Sequence, residues 1–157
     1  MVDNRQVVAI LAEVADILEI LGENPYKVMA YRRASYSIKD ITESLEALWQ
    51  EGKLLEIKGV GKAIKSQVEE ILKTGQLEYH QELLRQVPRG VLKMLALPGV
   101  GPRTVRIIHK NLGITNLDDL LQAVKDHMIR ELPGLGAKTE YNIKQGIEML
   151  KSIGDIV

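Results

Sequence analysis

Apolar residues recur at three- and four-residue intervals along nearly the whole chain, the spacing that puts one stripe on an α-helix. From Asp3 to Leu21 the stripe is Val7, Ile10, Leu11, Val14, Ile17, Leu18 and Leu21, and Gly22 stops the helix. Pro25 can open a second helix, which carries Tyr26, Lys27, Tyr31, Arg32 and Arg33. Thr42 followed by Leu45 and Leu48 predicts a third, ending near Gly52. Ile64, Val68, Ile71 and Leu72 mark a fourth, closed by Gly75, and Leu77, Leu83 and Leu84 place a short fifth within 76–86. The run Val87-Pro88-Arg89-Gly90 reads as a boundary between two helical units, 1–86 and 87–157. Beyond it come a short helix to Leu97, a helix through Val105 and Ile108 to Gly113, and one capped by Asn116 that holds Leu117, Leu120, Leu121 and Val124. A last helix runs from Ala137 to about Ile153, with Ile143, Ile147 and Leu150 on its apolar face. No strand of useful length alternates, so the expected fold class is all-α.

Three of these helices open after the same pentapeptide pattern: Ile57-Lys58-Gly59-Val60-Gly61, Leu97-Pro98-Gly99-Val100-Gly101 and Leu132-Pro133-Gly134-Leu135-Gly136. The first glycines stand 40 and then 35 residues apart, so the pattern is a repeated unit. With its flanking helices it is the helix-hairpin-helix arrangement. The apolar residues of each turn (Ile57 and Val60, Leu97 and Val100, Leu132 and Leu135) are expected to plug the space between the two helices. The glycines let a ligand come close, and the first N–H groups of the following helix point outward unpaired, which suits an anion. Basic groups follow each turn: Lys62 and Lys65, Arg103 and Arg106, and Lys138. Backbone amides of this kind hold phosphate oxygens without reading a base. DNA is the simplest polyanion to meet three such turns. The third turn is flanked by Glu131 and Glu140, so it is expected to serve packing more than binding.

A formal net charge of zero runs against nucleic acid until the charges are placed. Residues 1–24 hold Asp3, Glu13, Asp16, Glu19 and Glu23 against Arg5, a net of −4. Residues 25–39 hold Lys27, Arg32, Arg33 and Lys39 without an acid, a net of +4. Residues 88–117 hold Arg89, Lys93, Arg103, Arg106 and Lys110, a net of +5. Local field is what draws phosphate, and two basic patches survive the cancellation. With no cysteine, disulfides and cysteine-ligated metals are excluded. His80, His109 and His127 are scattered and read as surface or phosphate-facing side chains, so no side-chain metal site is expected. No run approaches a membrane span and the N-terminus lacks a signal-peptide profile, which makes a cytoplasmic protein the expectation.

The order of these features resembles one family. Asn24-Pro25-Tyr26-Lys27-Val28-Met29-Ala30-Tyr31-Arg32-Arg33-Ala34, then the Gly59 turn, then Leu97-Pro98-Gly99-Val100-Gly101-Pro102 is similar to the N-terminal part of X-family DNA polymerases, the repair enzymes related to polymerase beta. The third turn, through Ala137-Lys138-Thr139-Glu140, is similar to the bacterial members. The resemblance runs from about residue 5 to 150. It implies a polymerase-beta N-terminal-domain-like fold: a small domain over 1–86 that binds the 5′ side of a gap, and a duplex-gripping subdomain over 87–157. It implies sequence-independent binding of gapped, nicked or primer-template DNA in base excision repair, by a monomer in the bacterial cytoplasm or nucleoid. The DNA-binding set it points to is Lys27, Tyr31, Arg32, Gly59, Gly61, Lys62, Lys65, Gly99, Gly101, Arg103, Thr104, Arg106, Gly134, Gly136 and Lys138. It also implies a monovalent cation, potassium or sodium, at the turn carbonyls of Ile57, Val60, Leu97 and Val100, with no other cofactor required. Magnesium belongs to the palm, whose Asp-x-Asp pair this sequence lacks: Asp118-Asp119 is adjacent and opens a helix, where acids suit the dipole. A parent continuing past Val157 would be a DNA polymerase, whereas the sequence as given lacks the residues for nucleotide addition.

Some relatives also carry a 5′-deoxyribose-phosphate lyase, whose Schiff-base lysine sits eight residues after the first glycine of the turn. That position is Gln67, and another basic position of the phosphate pocket falls on Ala63. Lys65 is two residues from Gln67, on roughly the opposite helix face, and Lys62 is five away. Little or no lyase activity is expected, while Lys27 and Tyr31 match positions that meet a 5′ phosphate. A helix-hairpin-helix glycosylase would need an aspartate some twenty residues past the second turn, and the residue 22 after Gly99 is Leu121. A protein-interaction scaffold, with turns that only pack, is the remaining alternative. Binding of gapped DNA at moderate salt separates it from the main reading.

Overall fold

A computed structural model describes residues 2–154. Its elements are nine α-helices among the described residues: α1 (Asn4–Ile20), α2 (Pro25–Asp40), α3 (Leu45–Gln50), α4 (Lys62–Thr74), α5 (Glu78–Gln86), α6 (Arg89–Lys93), α7 (Pro102–Leu112), α8 (Leu117–Lys125) and α9 (Ala137–Ser152). Short 3-10 turns at Leu54–Glu56 and Met94–Ala96 precede the first two glycine turns. There is no strand among the described residues, and no helix is long and apolar enough to cross a membrane. The chain divides into two compact units, 1–86 and 87–157.

In the first unit α1 and α2 pack as a hairpin. Asp3 caps α1 with a reciprocal Gln6 bond, and the buried stripe Val7, Leu11, Val14 and Leu18 meets Val28, Ala34 and Ile38 of α2. Asn24 caps α2 and Pro25 sits where a missing N–H costs nothing. The third helix starts later than its Thr42 suggested, because Ser44 takes the cap and bonds the Ala47 amide. Val68, Ile71 and Leu72 of α4 and Leu83 of α5 close the core. His80 on α5 is buried and its Nε2 lies 2.8 Å from Glu13 Oε1 on α1, so it is a core group rather than the surface side chain expected.

In the second unit the core is built from Val91, Met94, Leu97, Val105, Ile108, Leu120, Val124, Ile129, Ile143 and Ile147. Two glycines allow close packing here. Gly90 in α6 lies against the backbone carbonyl of Thr115, and Gly146 in α9 receives the Leu97 and Pro98 side chains of the second turn. Gly146 therefore seats the second turn on the last helix.

Candidate nucleic-acid interface

Three turns share one backbone geometry. In each, the amide of the fourth residue bonds the carbonyl of the first at 3.1 Å: Val60 to Ile57, Val100 to Leu97, Leu135 to Leu132. The third residue is the first glycine, at φ 84°, 75° and 80° for Gly59, Gly99 and Gly134. A bonded four-residue turn with positive φ at its third position is a type II turn, and it calls for glycine. One step earlier the pattern also repeats, with Ile57, Leu97 and Leu132 amides bonding Leu54, Met94 and Ile129 carbonyls. Leu54, Met94 and Ile129 are all buried, as are Val68, Ile108 and Ile143 nine residues after each first glycine. The third turn departs in one respect. Ile57, Val60, Leu97 and Val100 are buried as expected, but Leu132 and Leu135 are only half-buried and plug their hairpin less fully.

The second glycines behave differently from the first. Gly61, Gly101 and Gly136 are the N-caps of α4, α7 and α9, with φ of −90°, −107° and −151° that any residue adopts. A Cβ built on any of them meets nothing within 4 Å. The fold itself does not require glycine at these three places. Nor do side chains satisfy the amides there: α1, α2, α3 and α8 are capped by Asp3, Asn24, Ser44 and Asn116, whereas α4, α7 and α9 have no side-chain cap. The result is three open helix starts with bare backbone donors facing solvent, the arrangement that accepts phosphate.

Lys62, Arg103, Arg106 and Lys138 are exposed beside these starts, while Lys65 and Thr104 are half-buried. Glu140, which flanks the third turn, is turned inward and 2% exposed. It accepts from the Arg130 amide at 2.9 Å, from Arg130 Nε at 2.9 Å and from His127 Nδ1 at 2.8 Å. It staples the end of α8, where His127 takes φ 58°, to the start of α9. Of the two acids expected to repel phosphate, only Glu131 remains at the surface. Burial alone would raise the Glu140 carboxyl, but the bonds from His127 and Arg130 outweigh it and hold it below the ordinary glutamate value. A depressed folded-state value contributes stability above the unfolded value, near pH 4.3, and that stability is lost as pH falls through the folded value. Glu140→Gln is expected to cost about 2 kcal/mol at pH 7, since it orphans buried donors whose partners are partly solvated. Urea titration at pH 7 and pH 3 checks it: the gap between wild type and variant should shrink at the lower pH.

In the first unit, Gly59 packs on the Arg33 carbonyl and Ser37 of α2, which brings the first turn against that helix. The residues grouped by sequence along α2 part company here. Arg32 does not face a phosphate surface: its Nη1 bonds Asp16 Oδ1 at 2.9 Å and its Nη2 bonds Glu19 Oε1 at 2.7 Å. The two acids of α1 neutralise it, so it belongs to the α1–α2 packing. Tyr31 is buried, with its ring stacked on Tyr79 at 6.2 Å, so it supports the surface from below. Burial raises the Tyr31 hydroxyl value, against which the Gln67 side chain beside it acts. Lys27 is exposed and its Nζ lies 5.1 Å from the centre of the Tyr79 ring. Tyr79, foremost through its hydroxyl, holds the Lys27 ammonium above the ordinary lysine value. Lys27, Tyr31, Gln67 and Tyr79 thus form one cluster. Tyr79 carried no motif signal, because only the packing of α5 on α1 brings it there.

Residues 2–77 match the helix-hairpin-helix domain family, and residues 91–149 match the SAM-like helix-hairpin-helix tandem family. The chain is also similar to the DNA polymerase/3'-5' exonuclease PolX of Bacillus subtilis (strain 168), 28% identical over 143 residues, which cover 91% of this chain and 25% of that protein. The chain spans about a quarter of the length of that curated relative. The two helix-hairpin-helix matches fall one in each helical unit, and together with the similarity to a bacterial PolX protein they support the resemblance of this all-helical chain to the N-terminal region of X-family DNA polymerases.

Proposed function

We propose that this chain binds DNA through backbone phosphates, without reading sequence, as the gap- or nick-binding part of an X-family repair polymerase. The observation that carries the reading is the set of second glycines. Gly61, Gly101 and Gly136 occupy helix starts that have ordinary φ, open space and no side-chain cap, so glycine there serves an approaching ligand. The helix-hairpin-helix matches and the polymerase relative support DNA as that ligand. In this reading residues 1–86 take the 5′ side of the gap and residues 87–157 the duplex. The carbonyls of Ile57 and Val60 in the first turn and of Leu97 and Val100 in the second would hold a potassium or sodium ion, which would offset phosphate charge there. Lys27 serves as the 5′-phosphate contact, supported by Tyr31.

The lyase alternative has the opposite chemistry. Schiff-base formation needs a lysine with a lowered value. Gln67 offers no amine, and Lys27, the amine in the Gln67 cluster, is raised.

One set of measurements separates the two. A gap with a 5′ phosphate should bind more tightly than the same gap with a 5′ hydroxyl. Lys27→Ala should reduce that preference three- to tenfold, the worth of one exposed charge-assisted contact. Borohydride treatment with an incised abasic substrate should trap no adduct. An efficient adduct lost in Lys65→Ala would mean that the lysine has moved along α4 and that the lyase reading is correct. Equal binding of the two gaps would remove the 5′-phosphate assignment.

A further inference from the structure

We propose that the groove between α7 and the third turn is a second phosphate site, which carries one DNA strand onward from the point where the second turn holds it. This inference rests on the reading of the chain as a DNA binder and adds a path for the strand across the second unit. The groove encloses about 500 Å³ and is lined by Arg103, Arg106, Lys110 and Asn111 of α7 and by Pro133 and Gly134 of the third turn. The three cations stand at i, i+3 and i+7, one face of the helix. Among the described residues none of them pairs with a carboxylate, although Asp118 and Glu140 of the same unit pair elsewhere. Neighbouring like charges on a helix disfavour each other, so a cluster left without a counter-charge suits an anion supplied from outside.

The third turn forms one wall of this site through Pro133 and Gly134. Arg103 Nη2 lies 3.4 Å from where a Cβ on Gly134 would stand, with Ile107 Cδ1 at 4.0 Å. These are ordinary van der Waals distances, so the Arg103 guanidinium lies against the third turn. Of the two acids that flank this turn, Glu140 is turned inward onto Arg130, while Glu131 stays exposed. From Arg103 to Lys110 the helix rises about 10 Å. One DNA strand carries a charge roughly every 3.4 Å of axis and more widely along its own winding path, so a row of this length can meet more than one phosphate of the strand. The groove begins at the start of α7, where the bare amides of the second turn are, so amides and side chains lie on one continuous path.

Lys110 tests the groove because it sits near the far end of α7, away from the bare amides of the second turn. Binding of Lys110→Ala to an ungapped duplex of mixed sequence, followed by fluorescence anisotropy across a salt series, should be three- to tenfold weaker. Its log–log salt slope should be shallower by about 0.9, the signature of one lost phosphate. Lys110→Arg should restore the slope, and the preference for a 5′-phosphorylated gap should not change. If Lys110→Ala keeps the wild-type slope and affinity while Gly101→Asp loses binding, the strand does not follow this groove and the DNA-binding reading still stands. If the wild-type chain shows no salt-dependent binding of the duplex, the DNA-binding reading fails and the groove proposal with it.

Discussion

Aspartate at Gly101 is expected to leave the second unit at least as stable as before and to cost about a hundredfold in DNA affinity. The two effects have separate causes. Gly101 is the N-cap of α7, at φ −107° and ψ 179°, with no side-chain cap and nothing within 4 Å of a new Cβ. Aspartate is among the best N-caps and suits the positive end of the helix dipole. The new carboxylate would sit where the account places a phosphate. Two charges about 4 Å apart repel by roughly 1 kcal/mol in water and 4 kcal/mol near a protein surface, which brackets a hundredfold loss. The bare amides would also be occupied by the new side chain. Gly99 makes the contrast, since its φ of 75° is required by the turn itself and a valine there should destabilise the fold. Thermal unfolding and anisotropy on the same Gly101→Asp sample check both halves. Loss of binding together with loss of stability would mean that the glycine is structural after all.

Gly90→Ala is expected to destabilise the second unit by about 3 kcal/mol. Helix propensity predicts the reverse, a gain of up to about 1 kcal/mol, because alanine is the better helix former. The packing decides against it. A Cβ on Gly90 would stand 1.9 Å from the Thr115 carbonyl oxygen and 3.0 Å from its carbon. Both are backbone atoms, directly before the Asn116 cap of α8, so relief requires moving the start of that helix. Overpacking of this kind costs about 1–3 kcal/mol or more. A urea titration followed by helical circular dichroism gives the sign as well as the size, and a stabilised variant would contradict the packing of α6 on this loop.

The helices and turns were legible because their signals are local. Apolar spacing marks the stripes, Asp3, Pro25 and Asn116 mark starts, and the repeated glycines mark the hairpins, whereas the third helix, expected from Thr42, is capped by Ser44. What stayed hidden depends on which elements meet. Arg32 and the acids Asp16 and Glu19 were all visible in the chain, yet only the α1–α2 packing shows that they neutralise each other. Glu140 read as a surface acid because its period and its neighbours resemble any solvated helix start. Its burial follows from the Arg130 amide, which no pattern announces. Gly90 looked like part of a unit boundary, while its contact with Thr115 is a tertiary one. The division of labour between the first and second glycines of each turn was also beyond the sequence, since both are simply Gly until φ and free space are known.

The central claim is that bare turn amides and nearby cations grip the DNA backbone, and the salt dependence of gap binding tests it most directly. With about five phosphates held, the log–log slope should be close to −4.5, so affinity should fall roughly 500-fold between 50 and 200 mM salt. Two gapped duplexes of unrelated sequence should give nearly the same affinity and the same slope. A slope near zero, or a strong preference for one of the two sequences, would contradict the claim.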